Sequence, residues 1–248
     1  GLRAYYRPTQ FSRLNIEYHT TNEFRRGGNK FDLEPFETDI TEQTKHVINS
    51  GGLTYDLFWQ EYKHKLSFYT SAQHVDRNSY YGAQQDPNAY GKTKDLTFVG
   101  GGMYVGNFDK VLFSPATFTA GLEYQHNNMH DIMAGYNRDL EQKVRIASAF
   151  FQNEWKMNDF TLLAGFRLDD HNLIDNLIFS PRVNMLYKPS DAFQGRLTWS
   201  TGFRAPQAYD EDLHITAVGG EGVLIHLADG LKPEQSNSFS GPVDLSGQ

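Results

Sequence analysis

The residues most able to do chemistry cluster in a few short segments. His126, Met129, His130 and Met133 fall within one run of eight residues. Imidazole and thioether groups can donate to a soft or borderline metal, or to the metal centre of haem or a corrinoid. The plainer alternative is a polar loop with a helical turn, whose Met side chains pack inward. Tyr136 and Arg138 follow closely, and Tyr80, Tyr81 and Tyr90 form a second aromatic group. Such residues on loops can contact a flat organic ligand, or simply pack the loops together. Arg25 and Arg26 offer a basic pair for an anionic ligand, or a surface turn. The run from Tyr209 to His214 supplies hard oxygens for calcium but lacks EF-hand spacing, and reads equally as a solvated loop.

Asp86-Pro87-Asn88-Ala89-Tyr90-Gly91-Lys92-Thr93 nearly spells a phosphate-binding loop. Asp86 replaces the first glycine, and Pro87 removes a backbone N–H from the cradle. It reads as a loop turn. No GxSxG, HExxH or CxxC motif occurs, so no catalytic constellation and no enzyme is expected.

Composition bounds the elements that hold these residues. The 248 residues are 39% hydrophobic and 14% aromatic, with no cysteine. Disulfides and thiolate metal sites are therefore excluded. A net charge of −7 argues against nucleic acid as a partner. No apolar run approaches the roughly 18–20 residues of a membrane helix.

The recurring pattern has period two. Leu14, Ile16 and Tyr18 alternate with polar neighbours, as do Phe118, Ala120, Leu122 and Tyr124. Phe160, Leu162, Ala164, Phe166 and Leu168 do the same. Such segments are strands with one greasy face and one wet face. Eleven are expected, near 2–7, 11–20, 46–58, 65–75, 94–107, 117–126, 144–156, 160–169, 179–188, 193–203 and 234–244. Links after odd-numbered strands are short, except that the one around Asp109 to Pro115 is longer. Those after even-numbered strands, 21–45, 76–93, 127–143, 170–178 and 204–233, are mostly long and polar. In a meander, alternate links lie on opposite rims. Short turns on one rim and long loops on the other is the outer-membrane barrel arrangement, whereas a soluble sandwich has no reason to sort loops by parity. Eleven strands leave the first and last running the same way, so the chain reads as a piece of a larger barrel. Aromatic residues near strand ends, among them Tyr5, Tyr6, Trp59, Tyr62 and Trp155, suit an interfacial girdle, although aromatics favour strands generally.

Four blocks then match one family. Phe179-Ser180-Pro181-Arg182 running to Tyr187-Lys188-Pro189 resembles a strand and turn of TonB-dependent outer-membrane receptors. Thr201-Gly202-Phe203-Arg204-Ala205-Pro206 follows, and Leu231-Lys232-Pro233-Glu234-Gln235-Ser236 is similar to that family's lead-in to the next strand. Phe151-Gln152-Asn153-Glu154-Trp155-Lys156 resembles a further strand.

The resemblance implies an all-β fold: an antiparallel up-and-down meander of about 10–11 strands from a 22-stranded barrel. Residues 1–248 would be a partial barrel domain, with the plug and the barrel ends lying elsewhere in the protein. It further implies import of a scarce nutrient across the outer membrane of a Gram-negative bacterium. Candidates are an iron-siderophore, haem, cobalamin or a metal ion. A passive pore or adhesin barrel is the alternative. The implied partners are the TonB complex, the small nutrient ligand and outer-membrane lipid, with a surface lipoprotein as an optional addition. No resident cofactor is implied. The expected ligand-binding residues, on extracellular loops, are His126, Met129, His130, Met133, Tyr136, Arg138, Tyr80, Tyr81, Arg25 and Arg26.

Overall fold

The computed structural model describes residues 1–207, 227–228 and 230–245. They form one antiparallel sheet in chain order. Its strands are β1 (Leu2–Tyr6), β2 (Ser12–Gly28), β3 (Ile40–Trp59), β4 (His64–Ala83), β5 (Tyr90–Val111) and β6 (Ser114–Met133). β7 (Arg138–Lys156), β8 (Phe160–His171), β9 (Ile178–Ser190), β10 (Phe193–Arg204), β11 (Glu234–Ser240) and β12 (Val243–Leu245) complete it. β11 and β12 are two parts of one path. Thr198 faces Ser240 and Gly195 faces Val243 in unbroken register along β10. Pro242 has no amide hydrogen to donate and interrupts the ladder between them, while its carbonyl still accepts from Arg196 N. The eleven expected strands are therefore the observed ones. The sheet is open, for β1 and β11 do not pair with each other among the described residues.

Most lower strand ends fall where the sequence places them, at tight turns such as 157–159, but the longer link expected around Asp109 to Pro115 closes to Leu112-Phe113, because β5 runs on to Val111 and β6 begins at Ser114. The upper ends do not. β2 runs on to Gly28, β4 to Ala83 and β6 to Met133, so much of each expected long loop is paired strand. A strand needs only about 9–11 residues to cross the hydrocarbon. β3, β4 and β6 have 20 residues each, about 66 Å at 3.3 Å per residue. Roughly half of each hairpin is therefore in excess of such a crossing. In that upper half apolar alternation fades although the backbone ladder continues.

Register assigns the faces. Tyr69, Gly101, Glu123, Ser148 and Asp169 form one cross-strand row on the polar face. Arg167 donates to Glu123 at 2.9 Å, to Asp169 at 2.7 Å and to Ser148 at 2.6 Å. Tyr69 Oη donates to Glu123 at 2.7 Å, and Ser148 Oγ to Asp169 at 2.6 Å. Buried polar groups require such partners. The other face carries Phe68, Leu122, Phe151, Phe166, Phe179 and Leu197, several of them largely exposed. A continuous apolar face of this size needs a nonaqueous neighbour. Near the short turns it ends in aromatics. Trp59 stacks on His64 at 5.4 Å, His64 Nδ1 bonds Tyr104 Oη at 2.7 Å, and Phe118 meets Phe151 edge-on at 5.0 Å.

The top of the β2–β3 hairpin turns on Gly28, whose φ is +116°. A Cβ there would strike the Ile40 carbonyl. Gly28→Ala in the full-length protein should strain this end by about 1 kcal/mol or more. The expected readout is faster hydrogen exchange at the amides of Asn29 and Ile40, with the lower half of the hairpin unchanged.

Candidate functional site

The upper half of the sheet holds the candidate residues. Because β6 is a strand here, and not a loop with a helical turn, its side chains alternate. Met129, Asp131 and Met133 lie on the polar face, in register with Asp95, Thr93 and Gly91. His126 and His130 lie on the opposite face, in register with Phe98 and Lys94. The two imidazoles and the two thioethers therefore cannot converge on one metal. Among the described residues, no group of three His, Asp or Glu is arranged to hold a metal ion.

On the polar face, Asp131 is fully buried between two arginines. Arg138 Nε donates to it at 2.6 Å and Arg77 Nη2 at 3.2 Å. Thr93 Oγ1 also donates to it, and Arg77 Nε donates to Thr93 at 2.9 Å. This cluster locks β4, β5, β6 and β7 side by side. Farther along the same face, His46 sits between Glu23 and Arg77 in register. Arg25 projects beside them, largely exposed, and bonds Glu23 at 2.6 Å.

Above the cluster, two hairpin tips are clasped. Tyr136, in the 3-10 turn Ala134–Tyr136, donates its hydroxyl to the Tyr81 carbonyl at 2.6 Å. Burial raises the phenol pKa of Tyr136 above its ordinary value. Tyr81 and Met133 pack together beneath it, both buried. Tyr80 donates to the Asp86 carbonyl at 2.8 Å and meets Tyr90 edge-on at 4.9 Å. The backbone of Gly135 runs so close to the Asn88 carbonyl that a Cβ would collide with it. The would-be phosphate cradle is part of this packing. Asn88 N donates to the Asp86 carboxylate at 2.8 Å, and β5 follows where a helix would be needed.

Arg25 and Arg26 are strand residues on opposite faces of β2, not a turn. Arg26 donates to the Leu33 carbonyl at 2.6 Å and pins the 29–39 segment. Asp39 pins the same segment, accepting from Lys30 at 2.8 Å and Asn29 at 3.0 Å. The Lys30 bond, then the Asn29 bond, hold the Asp39 carboxyl below its ordinary pKa. The acidic run from Tyr209 to His214 lies outside the described residues. Sequence reasoning missed the buried Arg77–Asp131–Arg138 cluster. Its one available signal was the alternation of Met129, Asp131 and Met133 on a single face.

A family model for the TonB dependent receptor-like β-barrel matches residues 1–246. The chain belongs to this family. Siderophore receptors are among the similar solved structures. The siderophore receptor PirA from Pseudomonas aeruginosa has a TM-score of 0.73 at 17% identity, over 99% of this chain and 42% of that one. An arginine-to-alanine mutant of the ferric enterobactin receptor PfeA from the same organism, in complex with enterobactin, scores 0.70 at 16% identity, over 98% and 40%. The alcaligin receptor FauA from Bordetella pertussis scores 0.65 at 10% identity, over 96% and 38%. These identities establish the shared fold. The chain spans about two-fifths of the length of these receptors. Among curated proteins, none matches it. As part of a TonB-dependent receptor barrel, its polar face is the lumen wall and its apolar face the outer surface.

Two outcomes follow. Asp131→Ala leaves the buried Arg138 and the half-buried Arg77 without their shared anion. It should lower the unfolding free energy of the full-length receptor in vesicles by about 3–5 kcal/mol, read from denaturant titration. For Asp39 the folded pKa lies below the unfolded value of about 3.9. Its contribution is therefore complete above the unfolded pKa and lost as pH falls through the folded one. Proteolytic nicking of 29–39 should rise over that acidic window in the wild type. Asp39→Asn should show the raised nicking already at neutral pH.

Proposed function

We propose that the full-length protein imports a scarce nutrient across the outer membrane, energised by the TonB complex, and that its cargo is an anionic ferric siderophore. The observation that carries the import reading is the family match along 1–246. The siderophore reading is supported by the shared fold with PirA, PfeA and FauA, whose names record siderophore receptors. It is also supported by the exposed guanidinium of Arg25 on the upper lumen wall.

In this reading the tall hairpins wall a vestibule above the membrane. Arg25 reaches into it, with His46 and Arg77 below. A ferric chelate carrying negative charge is drawn there by Coulomb attraction, which acts first on the rate of encounter. The partly exposed ring of Tyr136 offers a flat contact at the rim. Met129, Met133, Tyr81 and Arg138 are buried and shape the wall from behind. His126, His130, Tyr80 and Arg26 sit on strand positions facing away from the lumen. Release inward is the work of the rest of the protein and its TonB partner. No observation favours a passive pore or adhesin.

The test is accumulation of iron-labelled siderophores in cells carrying the full-length receptor, with and without a working TonB complex. Uptake should require TonB; equal uptake in both strains would overturn the import reading. Arg25→Glu should assemble normally and bind the transported ferric siderophore about three- to tenfold more weakly, the range expected for a rim charge. Unchanged affinity would remove Arg25 from the site.

A further inference from the structure

One imidazole on the upper lumen wall is held in an unfinished arrangement. His46 on β3 stands in register between Glu23 on β2 and Arg77 on β4. Its Nδ1 is buried and has no hydrogen-bond partner. Glu23 Oε2 lies 4.0 Å from that nitrogen, too far for a hydrogen bond. The other carboxylate oxygen, Oε1, is already engaged. Arg25 donates its Nε to it at 2.6 Å, and Arg25 Nη2 is also 2.6 Å from it. One oxygen of Glu23 therefore serves Arg25, and the other faces a bare ring nitrogen.

The charged groups that face His46 are Glu23 and Arg25 from β2 and Arg77 from β4. Along β3 its lumen-side neighbours are Thr44 and Ile48, with Glu42 beyond Thr44. Lys45 lies on the opposite face, over the Phe24 ring. Arg77 is fixed by its bonds to Thr93 and Asp131. Arg25 is largely exposed and free to turn. Burial first, and then Arg77, hold the imidazole below its ordinary pKa; Arg25 adds to this and Glu23 works against it. His46 is therefore neutral at pH 7, and Glu23 with Arg25 carries no net charge. A proton on Nδ1 turns the bare acceptor into a donor, and the free oxygen of Glu23 is the acceptor within reach. Such a bond is charge-assisted.

We propose that Glu23, His46 and Arg25 form an acid-responsive switch that turns this part of the lumen wall into an anion-binding site. On acidification His46 takes a proton and draws Glu23 toward Nδ1. Arg25 then shares its carboxylate with a second cation, and its guanidinium turns to an anionic chelate in the lumen. The group of three gains one positive charge. By linkage, the bound anion in turn favours the protonated imidazole. The identity of the ligand rests on the anionic-siderophore reading of the vestibule, whereas the proton switch does not.

The first measurement needs no cargo. The full-length receptor in neutral detergent carries ring-labelled histidine and is titrated by NMR; the resonance missing from His46→Gln identifies the imidazole. Its midpoint should lie below the ordinary histidine value of about 6.5. Glu23→Gln should lower the midpoint further, and Arg25→Gln should raise it. A midpoint at or above the ordinary value, or no movement in Glu23→Gln, overturns the switch. The second measurement titrates a ferric tris-catecholate chelate at about pH 7.5 and about pH 5, which bracket histidine titration. His46→Gln reports the chelate's own protonation. Relative to that variant, wild type should gain about two- to fivefold in affinity at the lower pH, the scale of an exposed ion pair. Parallel pH profiles in the two proteins would overturn the proposal. Failure of the chelate to bind at either pH would count against the siderophore reading instead, and the NMR midpoints would still decide the switch.

Discussion

A chain crossing hydrocarbon must satisfy every backbone N–H and C=O from within, because no water is there to help. Sheet hydrogen bonds do this only if every strand has a neighbour on each side. From that demand follow the long ladders that join each strand from β2 to β10 to its neighbours and the turns of two to five residues at the lower rim. Period-two chemistry is the same demand seen from the side chains. Each strand must offer one surface to lipid and the other to water, and a slip of one residue would exchange them.

Burial in this wall is inverted relative to a soluble domain. Most of its enclosed side chains are polar, among them Asp131, Asp169, Ser148, Thr93 and Thr41. Large apolar side chains such as Leu122 and Phe239 are instead exposed. Cohesion on the lumen side comes from ionic clusters that cross several strands, Arg167 in the lower half and Asp131 in the upper. Each carboxylate is held by more than one donor, which is what makes a buried charge tolerable. Breaking such a cluster costs more than a surface ion pair of similar length.

The fold was largely legible in the sequence wherever two different solvents face one strand. Leu14-Ile16-Tyr18 and Phe118 through Tyr124 alternate because lipid and water lie on opposite sides. Their lower ends were legible because Met157-Asn158-Asp159 and Pro189 to Ala192 break the pattern. The upper strand ends were not legible. Residues 127–133 and 76–83 mix polar and apolar side chains on both faces, so nothing in their composition separates a ladder from a loop. The misreading carried over to the candidate site. A helical turn would gather His126, Met129, His130 and Met133, whereas a strand sends the histidines to one face and the methionines to the other. The cluster around Asp131 was hidden for a related reason. Arg77 and Arg138 are far from it in sequence, and only register brings them to one carboxylate.

The clasp between the two tips has a mechanical meaning. Gly135 lies against the Asn88 carbonyl, and Tyr136 is tied to the Tyr81 backbone. With Asp131 bracing the same four strands lower down, β4 to β7 are fastened at two heights. Two fastenings remove the freedom of one ribbon to pivot about its neighbour, which a single fastening would leave. This sector of the rim therefore behaves as a stiff plate. Any bending of the rim must be absorbed outside it, and elastic strain applied at one tip is shared at once by both hairpins.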